Sequence, residues 1–186
     1  MSTRRVVVTH DAAGRSVLTS DGPSPRSKKF IHTPGFATAL LWASDGTPTV
    51  PHRDGDPTPA VASFAPGIGG TRFMVITFAP DSVMGDPSFD LHKAIAEHLA
   101  ESPGIADKFE PDAPGMHTTD TIDYGIVLEG EIWLELDDQK TIHLKQHDVT
   151  VLAGARHAWR NKSQKPTTIA FVLVGAQRAA AGNQRG

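Results

Sequence analysis

Nine histidines and no cysteine define the chemistry open to this chain of 186 residues. Without a thiol there is no disulfide scaffold, no thiolate zinc site and no cysteine nucleophile, so a metal would have to be held by nitrogen and oxygen. Two segments concentrate such donors. One runs Gly115-Met116-His117-Thr118-Thr119-Asp120-Thr121-Ile122-Asp123-Tyr124; the other runs from His147 to Asn161 through Gly154, Arg156, His157 and Trp159. Imidazole and carboxylate suit iron, manganese, nickel, cobalt or zinc. The candidate ligands for one divalent ion are His117, Asp123 and His157. Ligands must converge, yet His117 and Asp123 lie six residues apart, roughly 20 Å on a straight strand. They share an ion only if the chain turns between Thr119 and Asp123, with His157 arriving from a neighbouring strand. Asp120 is the alternative carboxylate, or a hydrogen-bond partner behind the ligands.

The elements that would have to position these residues read almost wholly as strands. Arg5–Thr9 and Arg15–Thr19 flank Asp11-Ala12-Ala13-Gly14 as a hairpin. Another strand lies within Phe30–Leu41 and ends near Trp42. The Pro-, Gly- and Asp-rich stretch Asp45–Pro59 reads as an exposed loop. Thr71–Phe78 is apolar on both faces and reads as an interior strand. A single helix is expected over about 86–102, with Asp86-Pro87-Ser88 at its start, Leu91, Ile95 and Leu99 as its apolar stripe and Pro103-Gly104 as its stop. His92 and His98 lie six apart on it, off any shared face, and read as surface residues. Beyond Gly115 come Gly125–Leu128, Glu131–Leu136, Thr141–Leu144, Val149–Leu152, His157–Arg160 and Thr167–Val174, each ended by a turn. That even spacing indicates a sandwich or barrel.

Composition narrows the class. The hydrophobic share of 39% and charged share of 21% fit one soluble domain, placed at 1–174 with a flexible tail over 175–186. A formal net charge of −3 with no Lys/Arg block argues against nucleic acid or a membrane surface as partner. No apolar run approaches the ~20 residues that span a bilayer, and Met1–Arg5 leads straight into Val6-Val7-Val8, so the expected location is the cytoplasm. No Gly-x-Ser-x-Gly elbow, phosphate loop or dinucleotide fingerprint is present.

The two histidine-bearing segments resemble the paired motifs of the cupin superfamily. In the first motif His117 matches the first histidine, Asp123 stands at the glutamate position and Gly130 follows seven residues later. In the second, Asp148, Gly154, His157 and Asn161 match. Thr119 stands where a second histidine belongs, His147 replaces the turn glycine and Leu152 replaces a proline. The resemblance covers residues 115–161, and the wording around it is similar to that of small single-barrel cupins from bacteria and fungi. It implies an all-β, RmlC-like jelly-roll barrel with one short helix and a homodimeric assembly.

Each residue has a plainer reading. His157 competes with a core histidine bonded to the backbone, and His117 with a polar residue after a Pro-Gly turn. Asp123 enters an apolar strand and needs a partner to offset desolvation, which an arginine would supply as well as a metal. For the substrate pocket, Trp159 shares strand parity with His157, Thr119 could hold a metal-bound water and Arg72 could anchor a carboxylate. Packing, β-propensity and a salt bridge are their respective plain roles. Arg156 and Arg160 read as solvated. A two-histidine, one-carboxylate site suits redox-neutral lyase or isomerase chemistry on a small organic molecule, cyclic or aromatic and oxygenated, with the metal as Lewis acid. The same set suits a non-haem iron(II) dioxygenase. A barrel that binds a small molecule without catalysis is the third reading.

Overall fold

The computed structural model describes residues 3–52 and 54–179. Strands β1 (Arg4–His10) and β2 (Ser16–Pro23) form the expected hairpin, with Asp11 capping its turn by accepting from the Ala13 and Arg15 N–H groups. Short β3 (Ser27–Lys29) leads to β4 (Ala37–Ser44) and β5 (Thr71–Phe78). After α1 (Leu91–Glu101) come β6 (Thr121–Glu129), β7 (Glu131–Glu135), β8 (Thr141–Lys145), β9 (Val149–Ala153), β10 (Ala158–Arg160) and β11 (Thr167–Gly175).

These strands make a six-stranded antiparallel sheet in the order β3-β4-β5-β11-β6-β9, a three-stranded sheet in the order β10-β7-β8 and the separate β1-β2 hairpin. The all-β jelly roll with one short helix, expected from the sequence, is the observed architecture. Period-two alternation explains how the two larger sheets close on one core. Strand β11 turns Ile169, Phe171 and Leu173 inward; β6 turns Thr121, Asp123, Gly125 and Val127 inward; β7 adds Ile132 and Leu134. The register sets Phe171 beside Gly125, and Gly125 beside Thr150. A Cβ on Gly125 would fall 2.6 Å from the Thr150 hydroxyl oxygen and 3.1 Å from the Phe171 ring, so only glycine lets that ring lie flat against β6.

The helix departs from its sequence reading twice. Its N-cap is Asp90, which accepts from the Lys93 N–H at 3.1 Å, whereas Asp86 caps a preceding turn through Ser88. Its apolar stripe faces outward: Leu91, Ile95 and Leu99 are 56%, 49% and 46% exposed, and the buried residue is Ala94. The inward side is polar. Glu97 accepts from the Ile31 and His32 N–H groups, Glu101 pairs with Lys28, and His98 packs between the Phe30 and Phe36 rings. His98 is therefore a packed residue and not the surface residue expected.

The end of the chain also differs. Gly175 belongs to β11, the Ala176 N–H donates to the Asp120 carbonyl at 2.8 Å, and Arg178 pairs with the Asp120 carboxylate. Residues 175–179 thus dock on the barrel, and 180–186 of the expected tail lie outside the described residues. Among the described residues no helix is long and apolar enough to cross a membrane.

Candidate metal centre

Two of the three expected ligands meet directly. His117 and His157 form an isolated antiparallel bridge in which each N–H donates to the other's carbonyl at 3.0 Å. Their ring centroids lie 4.4 Å apart. Each ring is also oriented from its own side of the bridge: the His117 Nδ1 bonds to the Gly115 carbonyl at 3.0 Å and the His157 Nδ1 to the Ala155 carbonyl at 2.9 Å. A carbonyl only accepts, so Nδ1 carries the proton in both rings and Nε2 keeps its lone pair. That tautomer, fixed by a backbone carbonyl behind the ring, is the one a metal takes.

The electrostatics reinforce the neutral form. His157 is 2% exposed, and burial, then the neighbouring His117, pushes its pKa down to about 4 against the Ala155 carbonyl. Burial lowers His117 as well, offset in part by the Gly115 carbonyl and the charge of Glu110. Both imidazoles are free bases at neutral pH.

Asp123 lies on the inward face of β6, opposite Leu152 of β9 and Leu173 of β11. It is buried, its Oδ1 has no hydrogen-bond partner, and desolvation raises its pKa to about 6 despite the Thr121 hydroxyl. An orphaned buried carboxylate oxygen fits a cation or a proton that the polypeptide does not supply. Among the described residues, however, no three histidine, aspartate or glutamate side chains gather into a ready-made metal-binding group. The imidazoles stand as a pair, and the carboxylate stands apart on the same interior.

The remaining expected residues divide. Thr119 is buried, and its hydroxyl bonds to that of Thr121 at 2.7 Å, linking the His117 and Asp123 ends of the segment. Trp159 does line the interior, 5.9 Å from the His157 ring and packed on Phe171 and Phe78. Asp120 points outward to Arg178, which also donates to the Thr119 carbonyl at 2.9 Å. Arg72 is buried, and four of its five N–H donors are taken by the Ser63, Ser44 and Thr71 carbonyls and by Asp45. It ties strand ends together from a buried position; the salt bridge to Asp45 is present, but Arg72 is not the surface residue that its plain reading expected.

Three participants carried no sequence signal. Phe109 lies edge-on to His117 with ring centroids 5.3 Å apart. Arg156 is not free in solvent: it donates to both carboxylate oxygens of Glu110, at 2.7 and 2.6 Å, and to Asp137 at 2.7 Å. Arg160 likewise pairs with Glu135 and donates to the Pro114 carbonyl at 2.7 Å. Two cavities of about 410 Å³ each open elsewhere, between β1, Trp42 and the loop at 50–56, and neither is lined by an imidazole of the pair.

Comparison with known proteins adds relatives and a fold. No family model matches the chain. It is 30% identical over 132 residues to the oryzines biosynthesis cluster protein J of Aspergillus oryzae, covering 64% of this chain and 70% of that one. Over 48 residues it is 54% identical to the phomopsin biosynthesis cluster protein C' of Diaporthe leptostromiformis, covering 26% of this chain and spanning only 25% of that protein's length. A match of 46 residues at 44% identity joins it to a cupin-domain-containing oxidoreductase of Hypocrea virens, covering 25% and 24% of the two chains. Among solved structures, a cupin superfamily protein from Desulfitobacterium hafniense superposes with a TM-score of 0.41 at 13% identity, covering 75% of this chain and 77% of that one.

Proposed function

The chain belongs to the cupin superfamily, and from that premise we propose that it is a metal-dependent cupin enzyme acting on a small organic molecule by redox-neutral lyase or isomerase chemistry. One observation carries the reading: two buried neutral imidazoles, their ring centroids 4.4 Å apart, are each locked by a backbone carbonyl on Nδ1, which leaves both Nε2 lone pairs free. His117 and His157 would hold the ion, and Asp123 is the interior carboxylate available to join them, its Oδ1 otherwise unpartnered. When bound, a divalent ion supplies a Lewis acid for a carbonyl or carboxylate oxygen. The chain's own part is to fix the ring tautomers, keep water out with Trp159 and Phe171, and offer a cyclic, oxygenated molecule an aromatic wall. That two relatives are proteins of biosynthesis clusters supports a small-molecule substrate. The same reading places the protein in the cytoplasm.

The short match to a cupin-domain oxidoreductase favours a second reading, a non-haem iron(II) dioxygenase on the same ligands. Protein purified without chelator is expected to carry about one divalent ion per chain, and His157→Ala to lose it. Unchanged metal content in that variant would remove His157 as a ligand. Oxygen uptake with candidate organic acids then separates the readings, since consumption coupled to product overturns the redox-neutral one.

The reading extends to a homodimer. Tyr124, Ile126 and Leu128 of β6 and Val149 and Val151 of β9 all project outward and are more than 40% exposed, with Ile126 opposite Val149 and Tyr124 opposite Val151. Strand β9 is a sheet edge, so a second copy laid here would cover both the aliphatic strip and unpaired backbone.

A further inference from the structure

The imidazole pair is closed off by a segment that belongs to neither sheet. Residues 109–116 form a short closed loop in which the Glu110 N–H donates to the Met116 carbonyl at 2.9 Å and Glu110 bridges to Ala113. Its Phe109 ring meets His117. Two arginines of the second motif segment hold the loop down, Arg156 through both oxygens of Glu110 and Arg160 through the Pro114 carbonyl.

We propose that residues 109–114 are a gate over the imidazole pair, with Gly115 and Met116 staying in place beneath it, and that Arg156, through Glu110, is the residue that holds it shut; calling the pair the reaction site rests on the function proposed above. His117 and His157 are 8% and 2% exposed, so a molecule bound for either Nε2 must displace part of the structure. The strands are tied by long backbone ladders and a packed core, whereas residues 109–114 are held by isolated backbone hydrogen bonds, such as that from the Glu110 N–H to the Met116 carbonyl, and by the Arg156 and Arg160 side chains. Arg156 and Glu110 are 34% and 37% exposed, so water can replace the contact at small cost and salt can screen it. When the loop lifts, Phe109 moves off one imidazole while Trp159 stays against the other. What enters takes the place of Phe109 beside His117, with Trp159 still against His157, which favours an aromatic or other apolar ring. Arg156 acts through Glu110 and is a positioning residue of access, not a catalytic one.

Carbethoxylation of the histidines by diethyl pyrocarbonate, mapped peptide by peptide, reads the gate without requiring metal or turnover. In the wild type, His117 and His157 are expected to react far more slowly than the exposed His10 and His92. Arg156→Gln is expected to raise the rates at His117 and His157 about fivefold and leave His10 and His92 unchanged. Arg156→Lys, which keeps the charge and loses the two-pronged contact, should fall between. Raising salt should speed the wild type toward the variant. Arg4→Gln, which removes the exposed Arg4–Asp21 pair, should do nothing at the two sites. Rates at His117 and His157 that stay put in Arg156→Gln overturn the gate, as does a uniform rise at every histidine, which would mean general loosening. Cobalt(II) uptake separates the two proposals: faster modification with no metal bound in any variant leaves the gate standing and removes the metal.

Discussion

His117 and His157 exchange backbone hydrogen bonds at 3.0 Å in both directions while their rings sit 4.4 Å apart. The bridge brings together two residues forty positions apart in the chain and hands each the same kind of support, a carbonyl two residues upstream. A pair built this way is oriented before any ligand arrives, so metal binding would not have to order the rings.

Nitrogen-15 shifts of the two imidazoles are the direct check. Both rings are expected in the Nδ1–H form at neutral pH, with His157 staying neutral until the pH approaches about 4. Protonated Nε2 on either ring would reverse the assignment and leave that atom no lone pair for an ion.

Acid and base act on the two buried titrating groups in opposite directions. His157 has its pKa lowered from 6.5 to about 4, so its contribution to stability is present above 6.5 and is lost as pH falls through about 4. Asp123 has its pKa raised from 3.8 to about 6, so its contribution is present below 3.8 and is lost as pH rises through about 6. Asp123→Asn removes the second effect alone. Relative to wild type the variant should gain stability from about pH 4 to about pH 7, by at most roughly 3 kcal/mol. Urea unfolding of chelator-treated protein measures this, and a difference that does not change with pH rules out a desolvated carboxyl at this position.

Asn161 is 1% exposed and fastens the turn after β10 to the end of β5. Its amide nitrogen donates to the Phe78 and Lys165 carbonyls at 3.0 and 2.8 Å, and its Oδ1 accepts from the Ser163 N–H and hydroxyl at 3.1 and 2.7 Å. Asn161→Ala is expected to cost about 3 kcal/mol or more, because a fully buried side chain loses four hydrogen bonds at once. Asn161→Asp should be no better, since a carboxylate turns acceptors toward those carbonyls. Thermal unfolding decides it: wild-type stability in the aspartate variant would mean that the amide is not the donor.

Light scattering tests the aliphatic strip on β6 and β9. The wild type is expected at twice the chain mass, and Val149→Glu with Val151→Glu at the mass of one chain, with the barrel intact by circular dichroism. A wild type at the mass of one chain contradicts the assembly.

Strand positions were legible because their punctuation is local. Gly130 and Asp138, both at positive φ, mark the turns around β7, and Thr71–Phe78 emerges with the bounds its composition suggests. The helix shows the limit of such reading. Leu91, Ile95 and Leu99 locate an apolar stripe, but which side of α1 meets the barrel was settled by Glu97, Glu101 and His98 finding partners some sixty to seventy residues away. The imidazole pair was legible through motif spacing. Arg156 was not, because a charged residue reads as solvated until Glu110, 46 residues earlier, is seen beside it. For Asp123 the sequence shows a carboxylate entering an apolar strand and in need of a partner; that its neighbours across the ladders are Leu152 and Leu173, with no arginine beside it among the described residues, comes from strands β9 and β11.

The inverted helix α1 has a consequence for acid sensitivity. Its anchor is a set of carboxylate contacts, with Glu97 held below its ordinary pKa of 4.5 by the Ile31 and His32 N–H groups against the cost of burial. The Glu97 contacts contribute fully above 4.5 and are lost as the pH falls through its lowered value. Souring the solution should therefore peel α1 from the barrel before the barrel melts, uncovering the Phe30 and Phe36 rings beneath His98 and making the half-unfastened molecule sticky.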